Sequence, residues 1–297
     1  MSATVSFCGL ELAHPVVNGS GTYDAIAARR AFGDALLERF PFSAFVSKTV
    51  TLAPRAGNPP PRLWEAPAGM VNSIGLPNKG LAGYLAEDLP ELARLPVPLI
   101  TNVMGATGDE IAALVEAVDA RPEIEAIELN VSCPNVKTGL DIGADPRELG
   151  AVVSRVRGLT AKPLIVKLTP NAADPAAAGQ AAEAAGADAV SLINTLRAYA
   201  PAPRSPGVPW LGGGTGGLSG PAVRAVALAQ VRAVAQRVAI PVVGMGGVQT
   251  AAHAVQFLEA GATLVAVGTE SFRDPAAGER IARDLRHLFA KSGDIPG

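Results

Sequence analysis

The segment Glu128-Leu129-Asn130-Val131-Ser132-Cys133-Pro134-Asn135 brings two amides and a thiol together at the end of an apolar run. An amide offers donors and an acceptor, enough to read a flat heterocycle. A thiol, with an ordinary pKa of ~8.5, can move a proton or attack carbon when its surroundings favour the thiolate. Pro134 has no amide hydrogen and a fixed φ, so the strand expected over residues 124–131 must stop there. Taken alone, Cys133 reads equally well as a small buried residue. Two other apolar runs end in lysine, at Lys48 and Lys167, and two more end in polar groups, at Asn102 and at Asn194-Thr195. Such a lysine can bring positive charge to a pocket or serve as a Schiff-base nucleophile. Three further runs are followed by small residues: Gly19-Ser20-Gly21-Thr22, Gly246-Gly247 and Gly268-Thr269. Bare backbone N–H groups in such turns are suited to cradle a phosphate.

These groups act together only if the chain carries them to one place. Short apolar runs with little polar alternation predict strands at residues 15–18, 44–48, 98–103, 124–131, 163–168, 189–195, 240–244 and 263–267, each buried on both faces. Helical spacing alternates with them, over residues 25–40, 78–93, 109–120, 147–157, 175–185, 221–238, 250–260 and 273–291. Asp174 followed by Pro175 marks one helix start, Thr107 or Asp109 another, and Pro221 a third. Residues 5–7 and 10–12, split by Cys8-Gly9, predict an N-terminal hairpin that could plug one end of a barrel, with Cys8 structural. Two connections, residues 49–76 and 196–219, are long for a compact domain. The first carries Trp64, Met70, Ile74 and Leu76, which should pack over something. The loop after Asn135 runs to Pro146.

Eight strands alternating with helices predict an α/β fold, a (β/α)8 TIM barrel, with residues 1–297 forming a single domain with long βα loops. A doubly wound open sheet is the competing architecture, but Gly19-Ser20-Gly21 lacks the third glycine of its fingerprint. In a barrel the strand ends face one pocket. Ser20 to Thr22, Lys48, Asn102, Asn130 with Cys133, Lys167, Asn194 with Thr195, Gly246-Gly247 and Gly268-Thr269 would all meet there. Glycines after the last two strands imply a phosphorylated ligand.

Bulk properties narrow the class. The 297 residues are 48% hydrophobic and 18% charged, with a net charge of −2, which suits a globular protein and argues against nucleic acid as a partner. Two cysteines make no disulfide framework, and no apolar run resembles a leader or a membrane span, so a cytoplasmic protein is expected. Three histidines, His14, His253 and His287, and no His/Cys/Glu cluster at ligand spacing predict no metal site.

Ser47-Lys48-Thr49, Asn72-Ser73-Ile74-Gly75-Leu76, Asn130-Val131-Ser132-Cys133-Pro134-Asn135, Lys167-Leu168-Thr169 and Gly246-Gly247 together resemble the dihydroorotate dehydrogenase family. The resemblance runs from about residue 20 to residue 269. Cys133, and the Pro134-Asn135-Val136-Lys137 that follows, resemble its class 1B catalytic subunit. That resemblance implies an FMN-binding barrel oxidising (S)-dihydroorotate to orotate in de novo pyrimidine (UMP) biosynthesis. It implies a homodimer of this chain joined to an iron–sulfur flavoprotein, carrying FAD and a 2Fe–2S cluster, that passes electrons to NAD+. By the same resemblance Cys133 is the general base and FMN N5 takes the hydride. Lys167 stabilises the reduced ring and Lys48 touches substrate and flavin. Substrate would be bound by Lys48, Asn72, Ser73, Ile74, Gly75, Leu76, Asn130, Asn135, Asn194 and Thr195. FMN would be cradled by Ser20, Gly21, Thr22, Lys48, Thr49, Asn102, Asn130, Lys167, Ile193, Gly220, Gly246, Gly247, Gly268 and Thr269.

Other readings stay open at this level. A fumarate-linked class 1A enzyme or the flavin domain of dihydropyrimidine dehydrogenase would use a similar barrel. A Schiff-base aldolase would use Lys48 or Lys167 as nucleophile, and a flavin- or phosphate-binding module would need no catalytic thiol.

Overall fold

The computed structural model describes residues 4–131, 139–205 and 207–292. In chain order the strands are β1 (Val5–Phe7), β2 (Leu10–Leu12), β3 (Val16–Asn18), β4 (Phe45–Val46), β5 (Leu63–Ala66), β6 (Gly69–Asn72) and β7 (Leu99–Val103). They continue as β8 (Ala126–Asn130), β9 (Leu164–Lys167), β10 (Ala189–Leu192), β11 (Leu196–Ala198), β12 (Gly216–Ser219), β13 (Val242–Met245) and β14 (Leu264–Val267).

Eight of them form one parallel sheet in the order β3-β14-β13-β10-β9-β8-β7-β4, with helices between successive strands. A side chain closes the seam between β3 and β4. The Asn18 amide donates to Val46 O at 2.8 Å and accepts from Val46 N at 2.8 Å, in the place of a backbone rung. Ser43 N donates to Val16 O at 3.0 Å on the same seam. The result is the (β/α)8 barrel expected from the strand pattern.

Both faces of each barrel strand are apolar because both are buried. Ile127, Leu129, Val166, Val190 and Val265 face the helices, in one continuous core. Val17, Ala44, Ile100, Ala126, Ile165, Ala189, Val243 and Leu264 point inward, and Phe7 and Leu12 of the β1–β2 hairpin pack on them. Several of these are the first residues of their strands, so the hairpin stops the N-terminal mouth and leaves the C-terminal mouth for the site. Cys8 at the hairpin turn donates to Asp188 O at 3.4 Å, and burial, then the Asp188 charge, push its thiol up to about 12. That bond ties the hairpin turn to the start of β10 and suits a structural role.

Local signals placed most helices. Asp174 accepts from Ala176 N and Ala177 N, and Thr107, not Asp109, caps Gly108–Asp119. Several expected long helices are broken. Residues 25–40 divide into Ala25–Phe32 and Ala35–Glu38, because Gly33 adopts φ 68, where helix cannot continue. Residues 78–93 carry a five-residue π segment, Tyr84–Asp88. The closing helix expected over residues 273–291 is observed as Ala277–Ser292, preceded by an unexpected short helix, Glu270–Arg273, and another short helix, Gly139–Ala144, lies in the expected loop after Asn135.

The main correction concerns the two long loops. They are not irregular: β5 and β6 pair as a hairpin, β6 pairs with β12, and β12 with β11, in a four-stranded antiparallel sheet. This sheet stands over the C-terminal mouth. Val71, Ala200 and Leu211 form its own small core, with Trp64 packed against it.

Candidate active site

A cavity of about 490 Å³ occupies the C-terminal mouth, between the strand ends and the antiparallel sheet. Its floor is polar. Asn130 ends β8, Lys167 ends β9, and the two are register partners, each about 5% exposed or less. The Lys167 ammonium has no ion-pair partner among the described residues. One layer lower on the same strand, Glu128 is buried inside the barrel. Its carboxylate accepts from Asn102 Nδ2 at 2.6 Å and from Ser191 Oγ at 2.8 Å. A buried carboxylate is tolerated where its oxygens receive donors like these.

Lys48 stands on the opposite wall, just past β4, with solvent access through the cavity. Partial desolvation, the largest cause, lowers its pKa below the usual lysine range; Asp24 opposes this and Arg62 adds to it. Among the described residues the cavity lining therefore holds two ammonium groups and no carboxylate, an arrangement that favours an anionic ligand.

The antiparallel sheet places the amides. Asn72 ends β6, opposite Leu63 of β5 and Gly217 of β12, and its Nδ2 donates to Gly217 O at 3.3 Å. Asn194 and Thr195 leave β10 just before β11, and Thr195 N donates to Asn194 Oδ1 at 2.8 Å. Gly217 must be glycine, since a Cβ there would meet Thr195 Oγ1 at 1.9 Å. Thus Asn72 and Thr195, far apart in the chain, both pack against Gly217 of one strand of small residues.

The far end of the cavity is built from glycine. Gly21, Gly220, Gly246 and Gly247 adopt φ of 71, 91, 135 and 71, open to glycine and costly for other residues. A Cβ on Gly268 would meet nothing nearer than Thr22 Cγ2 at 3.7 Å, and one on Gly21 nothing nearer than Lys48 Cγ at 4.0 Å. Such groups would enter the cavity rather than the protein. The hydroxyls beside them are tied back: Ser20 Oγ donates to Ser47 O, Thr22 Oγ1 to Gly19 O, and Thr269 Oγ1 to Ser219 Oγ. The bare glycine backbone at this end could receive a phosphate-bearing tail.

Of the residues singled out from the sequence, Ser20, Gly21, Thr22, Lys48, Thr49, Asn72, Ile74, Gly75, Leu76, Asn130, Lys167, Ile193, Asn194, Thr195, Gly220, Gly246, Gly247, Gly268 and Thr269 line the cavity. Two do not. Asn102 is fully buried below the floor, and Ser73 is turned away, donating to Thr215 O at 2.9 Å and accepting from Asn58 Nδ2. Cys133 and Asn135 lie outside the described residues. Leu63, Met70, Leu218, Ser219, Val223, Met245 and Phe272 also line the cavity and were not singled out as site residues. Met70 had a signal, lying in an apolar-bearing loop too long to be idle; Leu63 and Leu218 had none, because their place depends on a pairing between distant loops.

A second cavity, about 600 Å³, lies on the far side of Lys48, between Tyr23–Ala27 and the Asn78–Leu92 region. It shares Gly21, Thr22, Lys48, Thr49 and Phe272 with the first but reaches neither Lys167 nor Asn130. The convergent polar groups belong to the smaller cavity.

Comparison with known proteins places this geometry in context. The family model described as dihydroorotate dehydrogenase matches residues 2–289. The catalytic subunit of dihydroorotate dehydrogenase B (NAD(+)) from Pelobacter propionicus is 46% identical over 301 residues, covering 99% of this chain and 97% of that one. The same subunit from Geotalea daltonii is 44% identical over 292 residues, covering 98% and 94%. Among solved structures, DHODH in complex with ferulenol from Eimeria tenella superposes with a TM-score of 0.79 at 21% identity, covering 98% of this chain and 85% of that one, a likeness of fold.

Proposed function

This chain belongs to the dihydroorotate dehydrogenase family, and on that premise we propose that it oxidises (S)-dihydroorotate to orotate, using FMN and passing the electrons through an iron–sulfur flavoprotein subunit to NAD+. The observation that carries the reading is the composition of one cavity. Two lysines with no carboxylate in the lining among the described residues, amides on three walls and a glycine cradle converge within about 490 Å³. This suits a planar, carboxylate-bearing heterocycle beside a phosphorylated ring cofactor. Relatives named as NAD(+)-linked catalytic subunits support the partner and the final acceptor. This chain's own cysteines number two, too few for a cluster of its own.

Bound FMN supplies the acceptor for the hydride leaving C6 of the substrate. The chain's residues supply the rest. Cys133, as thiolate, takes the C5 proton, so that loss of that proton and of the hydride leaves the C5=C6 double bond. Asn72, Asn130, Asn194 and Thr195 hold the ring amides and carboxylate. Lys48 offers its ammonium to the substrate anion from the cavity wall. Lys167, on the nearly dry floor, is placed to stabilise negative charge that develops above it. Gly21, Gly220, Gly246, Gly247, Gly268 and Thr269 would hold the cofactor's ribityl and phosphate tail.

The test is a spectrum followed by an assay. The purified protein should show a flavin band near ~450 nm, bleached by dihydroorotate and not by dihydrouracil. A colourless protein trapped by borohydride with a carbonyl substrate would sink the reading, as would bleaching by dihydrouracil alone. Rapid fumarate reduction by the isolated chain would reject the NAD+-linked partner while keeping the flavin chemistry.

A further inference from the structure

Three glycine-bearing segments meet at the far end of the cavity: Gly220 before the Arg224–Ala235 helix, Gly246-Gly247 after β13, and Gly268 after β14. The first two are in hard contact. A Cβ on Gly247 would lie 2.8 Å from Gly220 O and 3.0 Å from Arg224 Cβ. Behind this meeting point Arg224 Nη1 donates to Gly247 O at 3.3 Å and to His253 Nδ1 at 3.1 Å. His253 Nδ1 also accepts from Gln249 N at 3.3 Å, so it is the unprotonated nitrogen of a neutral ring. Burial, then the charge of Arg224, lower the His253 pKa, while Glu270 opposes them.

The network continues to the third segment. Gln249 Nε2 donates to Glu270 Oε2 at 2.9 Å, directly after Gly268-Thr269. Glu270 is already balanced by Arg280 and Arg273, each at 3.6 Å. Arg224 has no carboxylate within ion-pair distance among the described residues. Its anchors, a carbonyl and a neutral imidazole, could equally be held by an uncharged amide. What the cationic side chain adds is a positive charge directly behind the backbone turn that faces the cavity.

We propose that Arg224 is a positioning and specificity residue for the cofactor's phosphate. It braces the Gly246-Gly247 turn against Gly220 and supplies uncompensated charge that selects a phosphorylated flavin over the same ring without phosphate. This rests on the FMN reading above. It acts through the turn and takes no part in the oxidation itself.

The test compares FMN with riboflavin on the apoprotein, by quenching of flavin fluorescence, for the native chain, Arg224→Gln and Arg224→Lys. Glutamine keeps a donor for Gly247 O and removes the charge. Arg224→Gln should weaken FMN about tenfold, the scale of one partly screened charge lost beside a dianion, and leave riboflavin within about twofold. Arg224→Lys should restore most of the FMN preference. Equal weakening of both ligands, or none of either, overturns the proposal, since a merely structural role moves both alike. Should Arg224→Gln fail to fold by thermal melt, Arg224→Lys decides: a retained preference for FMN supports the charge, and a lost one overturns it. A native apoprotein that binds neither flavin overturns the FMN reading and this inference with it.

Discussion

Glu128→Ala should weaken the floor of the cavity, and Glu128→Gln should not. The native carboxylate accepts two hydrogen bonds inside the barrel, from Asn102 Nδ2 at 2.6 Å and Ser191 Oγ at 2.8 Å, at 3% exposure. Alanine leaves both donors buried without acceptors, at about 1–3 kcal/mol each, offset in part by no longer burying a charge. The expected net loss is about 2–4 kcal/mol. At about 2–4 °C per kcal/mol for a chain near this size, the melting temperature should fall by roughly 5–15 °C. In Glu128→Gln the new Oε1 accepts from Ser191. Its Nε2 needs an acceptor, and Asn102 Oδ1, a buried atom with no partner among the described residues, supplies one if the Asn102 amide turns over. The cost should then stay below about 1 kcal/mol. Urea unfolding of the apoprotein, followed by far-ultraviolet circular dichroism, measures both. Equal losses for alanine and glutamine would refute the reasoning and show that the charge holds the floor. Alanine within about 0.5 kcal/mol of the native chain would show that the pair of bonds is worth nothing net.

Gly268→Ala should leave apoprotein stability within about 0.5 kcal/mol yet weaken flavin at least ~tenfold, because its methyl enters the cavity and not the protein. Gly246→Ala, at φ 135 and with a Cβ 2.7 Å from Ala227 Cβ, should destabilise the apoprotein itself by about 1–3 kcal/mol or more; thermal melts with flavin titrations separate the two. His14, whose Nδ1 accepts from Val16 N at 3.3 Å, has its pKa lowered to about 4, by burial first and then by Arg286. Between its ordinary value near ~6.5 and about 4 the unfolded chain binds a proton that the folded chain refuses, so stability falls as pH drops through that window. His14→Gln keeps an acceptor and cannot protonate, so its unfolding free energy should fall less between pH 7 and pH 4; an unchanged acid limb would count against the assignment.

Much of this protein is decided locally and can be read from the chain. Short apolar runs such as Leu164–Lys167 are buried on both faces, and that alone implies a parallel barrel strand. Caps such as Asp174 and Thr107 bond to amides two or three residues away, so their residue type announces the helix. The strand ends Lys48, Asn130 and Lys167, and the glycines after β13 and β14, follow from the same local pattern. Height within the barrel does not. Asn102 and Asn130 both stand near the ends of apolar strands, but the β7–β8 register pairs Asn102 with Glu128 and drops it below the floor. Nor could the chain announce the sheet over the mouth. Gly216–Ser219 has no strand pattern of its own and becomes a strand because Asn72, Val71 and Met70 lie beside it. Side-chain periodicity records whether a residue is buried, which neighbouring residues settle. Which distant segment buries it, and at what level, is set by register and long-range pairing. Only the folded tertiary structure could bring Asn72 and Thr195 to either side of Gly217, or Arg224 behind Gly247.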